Sequence, residues 1–228
     1  MTAERDAFLK RVREAVAAGN RPGIGEVPER GATGYQGAGP DPVKRFCDEL
    51  TAAGGHPHVV PSPDAALEEV LKLLQAKAAR RVLLTYPPFA DRLREKGIEV
   101  VTPDTAAPGD WREPFFAAEV GVTGVDALIA ETGTVVMLSA PDNPRSGSLL
   151  PPVHIAIAER AQLLPDLFDL FEPSCWQSRG GLPACVSLIT GPSKTGDIEL
   201  RLVTGVHGPG ELHVILIEYV PPAGRDLG

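Results

Sequence analysis

The sequence predicts an α/β protein with a mainly parallel sheet flanked by helices, and three observations lead to this prediction. Short apolar segments alternate with segments of helical periodicity between residues 43 and 101, an order typical of a parallel sheet. Apolar runs at 127–130 and 135–138 are separated by a four-residue polar turn and predict a buried hairpin. Two further segments, 153–158 and 212–218, have the pattern of buried strands and would extend the sheet.

The first 42 residues are predicted to form a helix and an arm outside the α/β domain, which would span residues 43–228. Residues 3–18 place Phe8, Val12 and Val16 on one helical face. We favour packing of this narrow stripe within the chain; the alternative is contact with another subunit, as in a homo-oligomer. Residues 19–42 contain seven glycines and four prolines and predict a linker.

Helices and strands are then expected in alternation. A helix carrying Val43 and Phe46 would end at Gly54, and Ser62 with Pro63 has the features of a helix start, a capping hydroxyl followed by proline at the first helical position. The other elements predicted before the hairpin are strands at 58–60, 81–85 and 98–101, a short helix at 89–96 and a helix at 111–120 with Phe115 and Phe116 inward. Those predicted after it are a strand at 153–158, a helix at 163–171, a buried strand at 185–190 and a strand at 212–218.

Composition excludes several classes of protein. The net charge is −8, with 30 acidic and 22 basic residues, and no basic run is longer than Arg80-Arg81, which argues against nucleic-acid binding. No apolar run approaches the length of a membrane span and no signal segment is recognisable, so we expect a cytoplasmic protein. Cys47, Cys175 and Cys185 show no C-x-x-C spacing, which predicts neither a disulfide framework nor a cluster site.

The first candidate site lies at the hairpin turn and in the loop after it, at the ends of buried strands where sites on α/β scaffolds usually form. Glu131 would be half-buried and could act as a general base, a nucleophile or an acceptor for a substrate hydroxyl. The alternative is a turn residue that caps backbone amides. Thr132, Gly133 and Thr134 would shape the backbone so that its amides bind an anion. Arg145 is a candidate fork for a carboxylate, although solvated loop arginines are common.

The second candidate site is the segment 191–197, GPSKTGD, which follows a predicted strand. Its amides, with Ser193 and Lys194, could hold a carboxylate or a phosphate. The spacing of a Walker loop is absent, which argues against nucleotide hydrolysis. The alternative is a helix start with Thr195 as cap and Asp197 in the first turn, although the apolar residues that follow alternate as in a strand.

The histidines receive different interpretations. His207 lies between glycines in GVHGPG and could serve as acid, base or hydrogen-bond donor beside a closely approaching backbone, or simply satisfy a turn carbonyl. His154, in the strand-like PVHI, is interpreted as a satisfied core histidine in preference to a functional one. A metal pair of His207 and His213 lacks a third ligand at a suitable spacing, so no metal site is predicted. His56 and His58 are interpreted as surface loop residues.

Four segments resemble the LUD-domain family: IAETGT at 129–134, SLLPPVHI at 148–155, LITGPSKTGDIEL at 188–200 and GVHGPGELHVILIE at 205–218. The resemblance extends over residues 115–218, and over the first hundred residues only by the order of elements. Gly196 stands where the family pattern has alanine, which loosens the backbone there. The resemblance implies a fold similar to that of sugar-phosphate isomerases and CoA transferases, and a role in the bacterial oxidation of L-lactate to pyruvate.

The leading hypothesis from this resemblance is a component of a bacterial lactate-oxidising system that binds a small anionic ligand. The catalytic candidates Glu131, Asp197 and His207 would share one cleft with the ligand-binding candidates. The chain has no GxGxxG loop and no cluster ligands, so we expect no cofactor in it and an iron–sulfur cluster on a partner subunit. One alternative is a free-standing enzyme acting on an acyl-CoA, a sugar phosphate or a folate through Glu131. The other is a non-catalytic scaffold that grips a partner through its N-terminal helix and arm.

Overall fold

The structure, a computed structural model, describes residues 2–19, 37–104, 112–140, 143–171, 183–198 and 201–219. Its helices are α1 (Thr2–Gly19), α2 (Pro42–Ala52), α3 (Pro63–Ala76), α4 (Ala90–Glu95), α5 (Arg112–Phe116), α6 (Ser146–Leu149) and α7 (Leu167–Leu170). Its strands are β1 (His56–Val60), β2 (Arg81–Thr85), β3 (Glu99–Val101), β4 (Val120–Gly124), β5 (Ala127–Ile129), β6 (Thr134–Leu138), β7 (Val153–Glu159), β8 (Leu163–Leu164), β9 (Val186–Ile189), β10 (Lys194–Ile198), β11 (Arg201–Thr204) and β12 (Glu211–Ile217).

Six parallel strands form the central sheet, in the order β1-β12-β7-β4-β2-β3. One face packs on the apolar sides of α3 and α4, whose contributions include Val70, Leu74 and Leu93. The opposite face packs on α2 through Phe46 and Leu50, both fully buried, and on part of a second sheet. The predicted fold class, a parallel sheet flanked by helices, is therefore confirmed.

The second sheet has four strands in the order β8-β5-β6-β9. Its centre is the antiparallel pair β5-β6, with Ala127 opposite Val136 and Ile129 opposite Thr134. Both strands are buried along their whole length, as their apolar composition requires. The predicted hairpin is therefore confirmed, and β10 and β11 form a separate two-stranded hairpin.

Helices α2 and α3 each begin directly after a capping residue. The Asp41 carboxylate accepts a hydrogen bond from the Lys44 amide at 3.0 Å. The Ser62 hydroxyl accepts one from the Ala65 amide at 3.2 Å, and Pro63 occupies the first turn of α3. These bonds satisfy amides that the helix itself leaves without partners, so the predicted start at Ser62 is confirmed.

Three predicted elements were wrong in type, length or burial. The helix expected at 111–120 is described only as α5, and Phe116 is 67% exposed instead of inward. In place of the helix expected at 163–171, Leu163 and Leu164 form β8, which pairs with β5, and the four-residue α7, capped by Asp166, follows. Strand β9 lies at the edge of its sheet, which leaves Leu188 47% exposed. Of the two alternatives left open for residues 194–198, the structure has the strand, which pairs with β11.

The chain divides into two compact units, residues 1–36 and residues 37–228. Helix α1 is the described part of the first unit, and its Phe8, Val12 and Val16 are 56%, 42% and 55% exposed. None of the described helices offers the length of apolar sequence that a bilayer crossing requires.

Candidate functional site

A cavity of about 250 Å³ lies beside the amino-terminal half of β7. We call it the histidine cavity. Its lining comes from α6, from β7, from the end of β9 and the loop after it, and from the segment that leads into β12. The polar side chains among these are Ser148, His154, Thr190, Ser193 and His207.

The histidine cavity lies at the side of the central sheet where the strands have their amino-terminal ends. His154 is the second residue of β7 and stands in register with Gly121 of β4 and Leu212 of β12, which are also the second residues of their strands. Ligands of open α/β sheets usually bind outside the carboxyl ends of the strands. The cavity therefore lies at the ends of strands, as expected. These are the amino-terminal ends, however, whereas ligands usually bind at the carboxyl ends.

The close contact between α6 and β4 closes one side of the cavity. A Cβ on Gly121 would lie 2.0 Å from the Gly147 carbonyl oxygen, so only glycine at position 121 lets α6 lie directly on the strand. This contact brings Ser148 and Leu149, at the end of α6, to the cavity wall. The Ser148 hydroxyl donates to the Arg145 carbonyl at 3.2 Å.

His154 is the most deeply placed polar side chain of the site. It is 1% exposed, and its Nε2 lies 2.9 Å from the hydroxyl oxygen of Thr123, which is itself fully buried. Its Nδ1 has no hydrogen-bond partner among the described residues. Burial lowers the pKa of His154 to about 4, so the imidazole is neutral near pH 7. His154 is therefore a core histidine, as interpreted, and one of its two ring nitrogens has a partner among the described residues.

A row of three threonine hydroxyls connects the hairpin turn to the cavity. Thr132 and Thr134 lie 2.7 Å apart at their hydroxyl oxygens, and Thr134 lies 2.7 Å from Thr190. Thr134 is buried and Thr132 is exposed. Of the three, Thr190 lines the cavity, so the predicted ligand-binding residues Thr132 and Thr134 reach it only through Thr190.

The hairpin turn itself is docked on α2. Gly133 has a φ of +62°, and a Cβ there would lie 2.2 Å from the Leu50 amide nitrogen. The half-buried Glu131 accepts a hydrogen bond from the Gly37 amide at 3.4 Å, and its own amide donates to the Pro165 carbonyl. Glu131 and Gly133 are not among the residues that line the histidine cavity.

The segment 191–197 contributes one side chain to the cavity, that of Ser193. The Ser193 amide donates to the Pro209 carbonyl at 2.9 Å, and the Ser193 carbonyl accepts from the Gly205 amide at 3.0 Å, which fixes the backbone beside the cavity. Lys194 is not among the residues that line the cavity. Its ammonium donates to the Ala53 carbonyl at 2.5 Å, at the end of α2. Thr195 and Asp197 lie in β10, and the side chain of Asp197 is outside the described part of the structure.

The two other predicted site residues are both exposed. His207 lines the histidine cavity, so it joins Ser193 there. Arg145 precedes α6 and is not among the lining residues, although its carbonyl anchors the hydroxyl of Ser148. The structure therefore brings Ser193 and His207 together and leaves Glu131, Lys194 and Arg145 outside this cavity.

His213 lies in a different cluster of histidines. Its ring stacks on His56 with centroids 4.8 Å apart, and its Nδ1 is 3.1 Å from Nε2 of His58. His58 also meets Glu69 at 3.2 Å. His56 and His58 belong to β1, so their interpretation as loop residues was wrong, whereas His56 is exposed, as a surface residue should be. Among the residues that the structure describes, no group of three or more histidine, cysteine or acidic side chains is placed to hold a metal ion.

A second cavity, of about 310 Å³, lies at the carboxyl ends of β2 and β4. The polar side chains in its lining already have partners. The Thr85 hydroxyl donates to the Asn143 side-chain oxygen at 2.9 Å, and the Asp126 carboxylate accepts from the Leu138 amide at 2.6 Å. Because the predicted site residues Ser193 and His207 line the histidine cavity, we take that cavity as the candidate site.

Sequence reasoning missed His154, Thr123 and Thr190 as site residues. Alternation along 153–158 places His154 on the same face of β7 as the buried Ala156 and Ala158, which is a signal for burial. The partner of Nε2 comes from β4, 31 residues earlier in the chain, and no local pattern indicates it.

Comparison with known proteins gives a family and a fold. The LUD domain family model matches residues 43–217. Proteins named lactate utilization protein C are similar to this chain: that of an Exiguobacterium species is 32% identical over 179 residues, covering 74% of this chain and 75% of the relative. That of Bacillus licheniformis is 33% identical over 173 residues, covering 75% of this chain and 66% of the relative. A crystal structure of a DUF162 family protein from Deinococcus radiodurans has a similar fold, with a TM-score of 0.58 and 22% identity over 78% of this chain and 96% of that one.

Proposed function

Because this chain belongs to the LUD-domain family, we propose that it is a component of a bacterial L-lactate utilization system and that it binds a small carboxylate in the histidine cavity. Relatives named lactate utilization protein C, at 32% and 33% identity, support the role. The observation that supports the ligand site is the lining of a cavity of about 250 Å³, where the side chains of Thr190, Ser193 and His207 offer hydrogen bonds.

The lining offers several hydrogen-bonding side chains to a small anion. Thr190 and Ser193 offer hydroxyls, and His207 offers an imidazole at the exposed side. The Lys194 ammonium is bound to the end of α2 instead of the cavity. Hydroxyl and imidazole donors can hold a carboxylate while leaving room for exchange with solvent.

Electron transfer from lactate would require a partner. The chain has three cysteines, Cys47, Cys175 and Cys185, fewer than the four thiolates that commonly hold an iron–sulfur cluster. The oxidation of L-lactate to pyruvate would therefore take place in an assembly whose iron–sulfur subunit accepts the electrons. The contribution of this chain would be to hold the acid during that step.

The test is lactate-dependent dye reduction by the reconstituted lactate utilization proteins, with this chain present, omitted or substituted. We expect omission to stop the reaction, and Ser193→Ala and His207→Asn each to lower its rate by about tenfold or more, since each removes a side chain that lines the cavity and can bond the ligand. Glu131→Gln compares the hairpin turn with the cavity as the place of binding. If Glu131→Gln stops the reaction and the two cavity variants do not, the site lies at the turn; if omission has no effect, the proposed role is wrong.

A further inference from the structure

Two histidines outside the histidine cavity form a chain of contacts with two carboxylates. Glu69 of α3 lies 3.2 Å from Nδ1 of His58, and Nε2 of His58 lies 3.1 Å from Nδ1 of His213. Nε2 of His213 in turn lies 3.5 Å from the carboxylate of Glu211. His58 is half-buried and His213 is buried, and neither lines the histidine cavity. The chain of contacts is therefore separate from the site described above.

An ammonium group lies beside each of the two carboxylates. The ammonium of Lys72, in α3, donates to Glu69 at 3.1 Å. The ammonium of Lys77, directly after α3, donates to Glu211 at 2.7 Å. Both carboxylates therefore remain ionised acceptors, and Glu211 has the closer cation.

The two neutral rings carry too few protons for the three contacts. Burial lowers the pKa of His58 and lowers that of His213 to about 4, so both rings are neutral near pH 7. A neutral imidazole has one N–H and one lone pair, so the pair supplies two protons where the chain needs three. His56, whose ring stacks on that of His213 with centroids 4.8 Å apart, disfavours additional positive charge at the pair.

The distances indicate which contact lacks its proton. Glu69 is the closer of the two carboxylates to its ring nitrogen, at 3.2 Å against 3.5 Å for Glu211. Nδ1–H of His58 therefore donates to Glu69, and Nε2 of His58 is left with a lone pair. That lone pair accepts from Nδ1–H of His213 at 3.1 Å. Nε2 of His213 then presents a lone pair to the carboxylate of Glu211, and this is the contact without a proton.

From this count we infer that His58 and His213 form a proton-binding site, which takes up one proton in acid and thereby closes the chain between Glu69 and Glu211. The proton enters on Nε2 of His213, which then donates to Glu211, and the positive charge is shared by two rings that lie between two carboxylates. A second proton would place two N–H groups face to face at 3.1 Å, so the folded pair takes up one proton where the unfolded chain takes up two. The site is a pH-dependent link between α3 and the neighbouring strands β1 and β12. The inference does not depend on the proposed function, because it uses neither the cavity nor its ligand.

The test uses the full chain, with His58→Phe and His56→Phe as a matched pair. Both substitutions lie in β1 and keep an aromatic ring, but only the first removes nitrogens from the chain of contacts. Long-range ¹H–¹⁵N spectra at about pH 8, where both rings are neutral, should show the Nδ1–H tautomer of His213 in the wild type and in His56→Phe. In His58→Phe the Nδ1–H of His213 loses its acceptor, so the proton should move to Nε2, which faces Glu211.

The same spectra, recorded from about pH 8 down to about pH 4, give the number of protons taken up. In the wild type the ring nitrogens of His58 and His213 should shift together with one midpoint, each by about half the change of a full imidazolium. Glu211→Gln, at a partly exposed position, supplies an amide N–H to the lone pair of Nε2 and should lower that midpoint by about one pH unit or more.

Three results would overturn the inference. The first is an Nε2–H tautomer of His213 in the wild type at about pH 8. The second is an unchanged tautomer of His213 in His58→Phe. The third is a wild-type titration in which each ring takes up a full proton with its own midpoint.

Discussion

His154 should make the stability of the fold depend on pH. Its pKa is about 4 in the folded protein and about 6.5 in the unfolded chain. The unfolded chain takes up the proton first as the pH falls, so the stability is fully present above pH 6.5 and declines toward pH 4. From this residue alone, we expect the free energy of unfolding to be about 2 kcal/mol lower at pH 5 than at pH 7.

Urea denaturation of the wild type and of His154→Gln at the two pH values measures this contribution. The glutamine variant should lose less stability between pH 7 and pH 5, because its side chain does not titrate. A remaining decrease is expected in both proteins, since burial also lowers the pKa of His58 and that of His213. An equal decrease in the two proteins would show that His154 is not buried in its neutral form.

For single residues, the sequence predicted which types of side chain line the site better than it predicted where each candidate lies. It singled out Ser193 and His207, and both line the cavity. It also singled out Lys194, whose ammonium caps the end of α2. Such differences arise because a side chain's partner can be distant in sequence: Ala53 is 141 residues from Lys194.

Lys194 should contribute to the stability of α2 and little to ligand binding. Its ammonium donates to the carbonyl of Ala53, one of the last carbonyls of that helix, which otherwise lack partners. We expect Lys194→Ala to lower the urea midpoint and to leave the affinity for L-lactate unchanged. Lys96→Ala, at an exposed position after α4, is the control and should change neither. A loss of affinity that is specific to Lys194→Ala would restore Lys194 as an anion-binding residue.

The contribution of the contact between the β5-β6 turn and α2 to stability can be measured by substituting two glycines. Gly133 and Gly97 both have positive φ, at +62° and +78°, but a Cβ on Gly97 would meet nothing within 4 Å. Gly97→Ala should therefore cost only the backbone strain, about 1 kcal/mol. Gly133→Ala adds a contact of 2.2 Å with the Leu50 amide nitrogen, and we expect a loss on the order of 3 kcal/mol. Chemical denaturation of the two variants gives the difference, and equal losses would mean that the turn moves away from α2 without cost.

The elements that the sequence predicted well are those whose pattern and caps agree. Ser62 and Pro63 mark the start of α3, and continuous apolar residues mark β5 and β6. The failures occur where tertiary pairing decides the structure. The helix predicted at 163–171 is shortened because Leu163 and Leu164 pair with β5. The two alternatives left open at 194–198 are decided in favour of a strand by pairing with β11.

At the scale of the whole molecule, alternation of elements predicted the parallel sheet but not the edge at which the site lies. The position of the site depends on two sets of contacts. Gly121 contacts Gly147, which brings α6 to the cavity wall, and the row of threonine hydroxyls ends at Thr190 in the cavity lining. Both join segments that are apart in sequence. Local periodicity carries no information about either contact.

Residues 37–228 should fold without the first 36 residues. The buried clusters that the structure describes start at Ala38, and the match to the LUD domain family starts at residue 43. We therefore expect a chain that begins at Gly37 to keep the urea midpoint of the full protein. A chain that begins at Ala53 loses Phe46 and Leu50, both fully buried, and at 2–5 kcal/mol for each large core side chain this is on the order of the whole stability of a domain. Circular dichroism of the two truncated chains should show one folded and one unfolded protein, whereas unfolding of the first would place residues 1–36 within the cooperative unit.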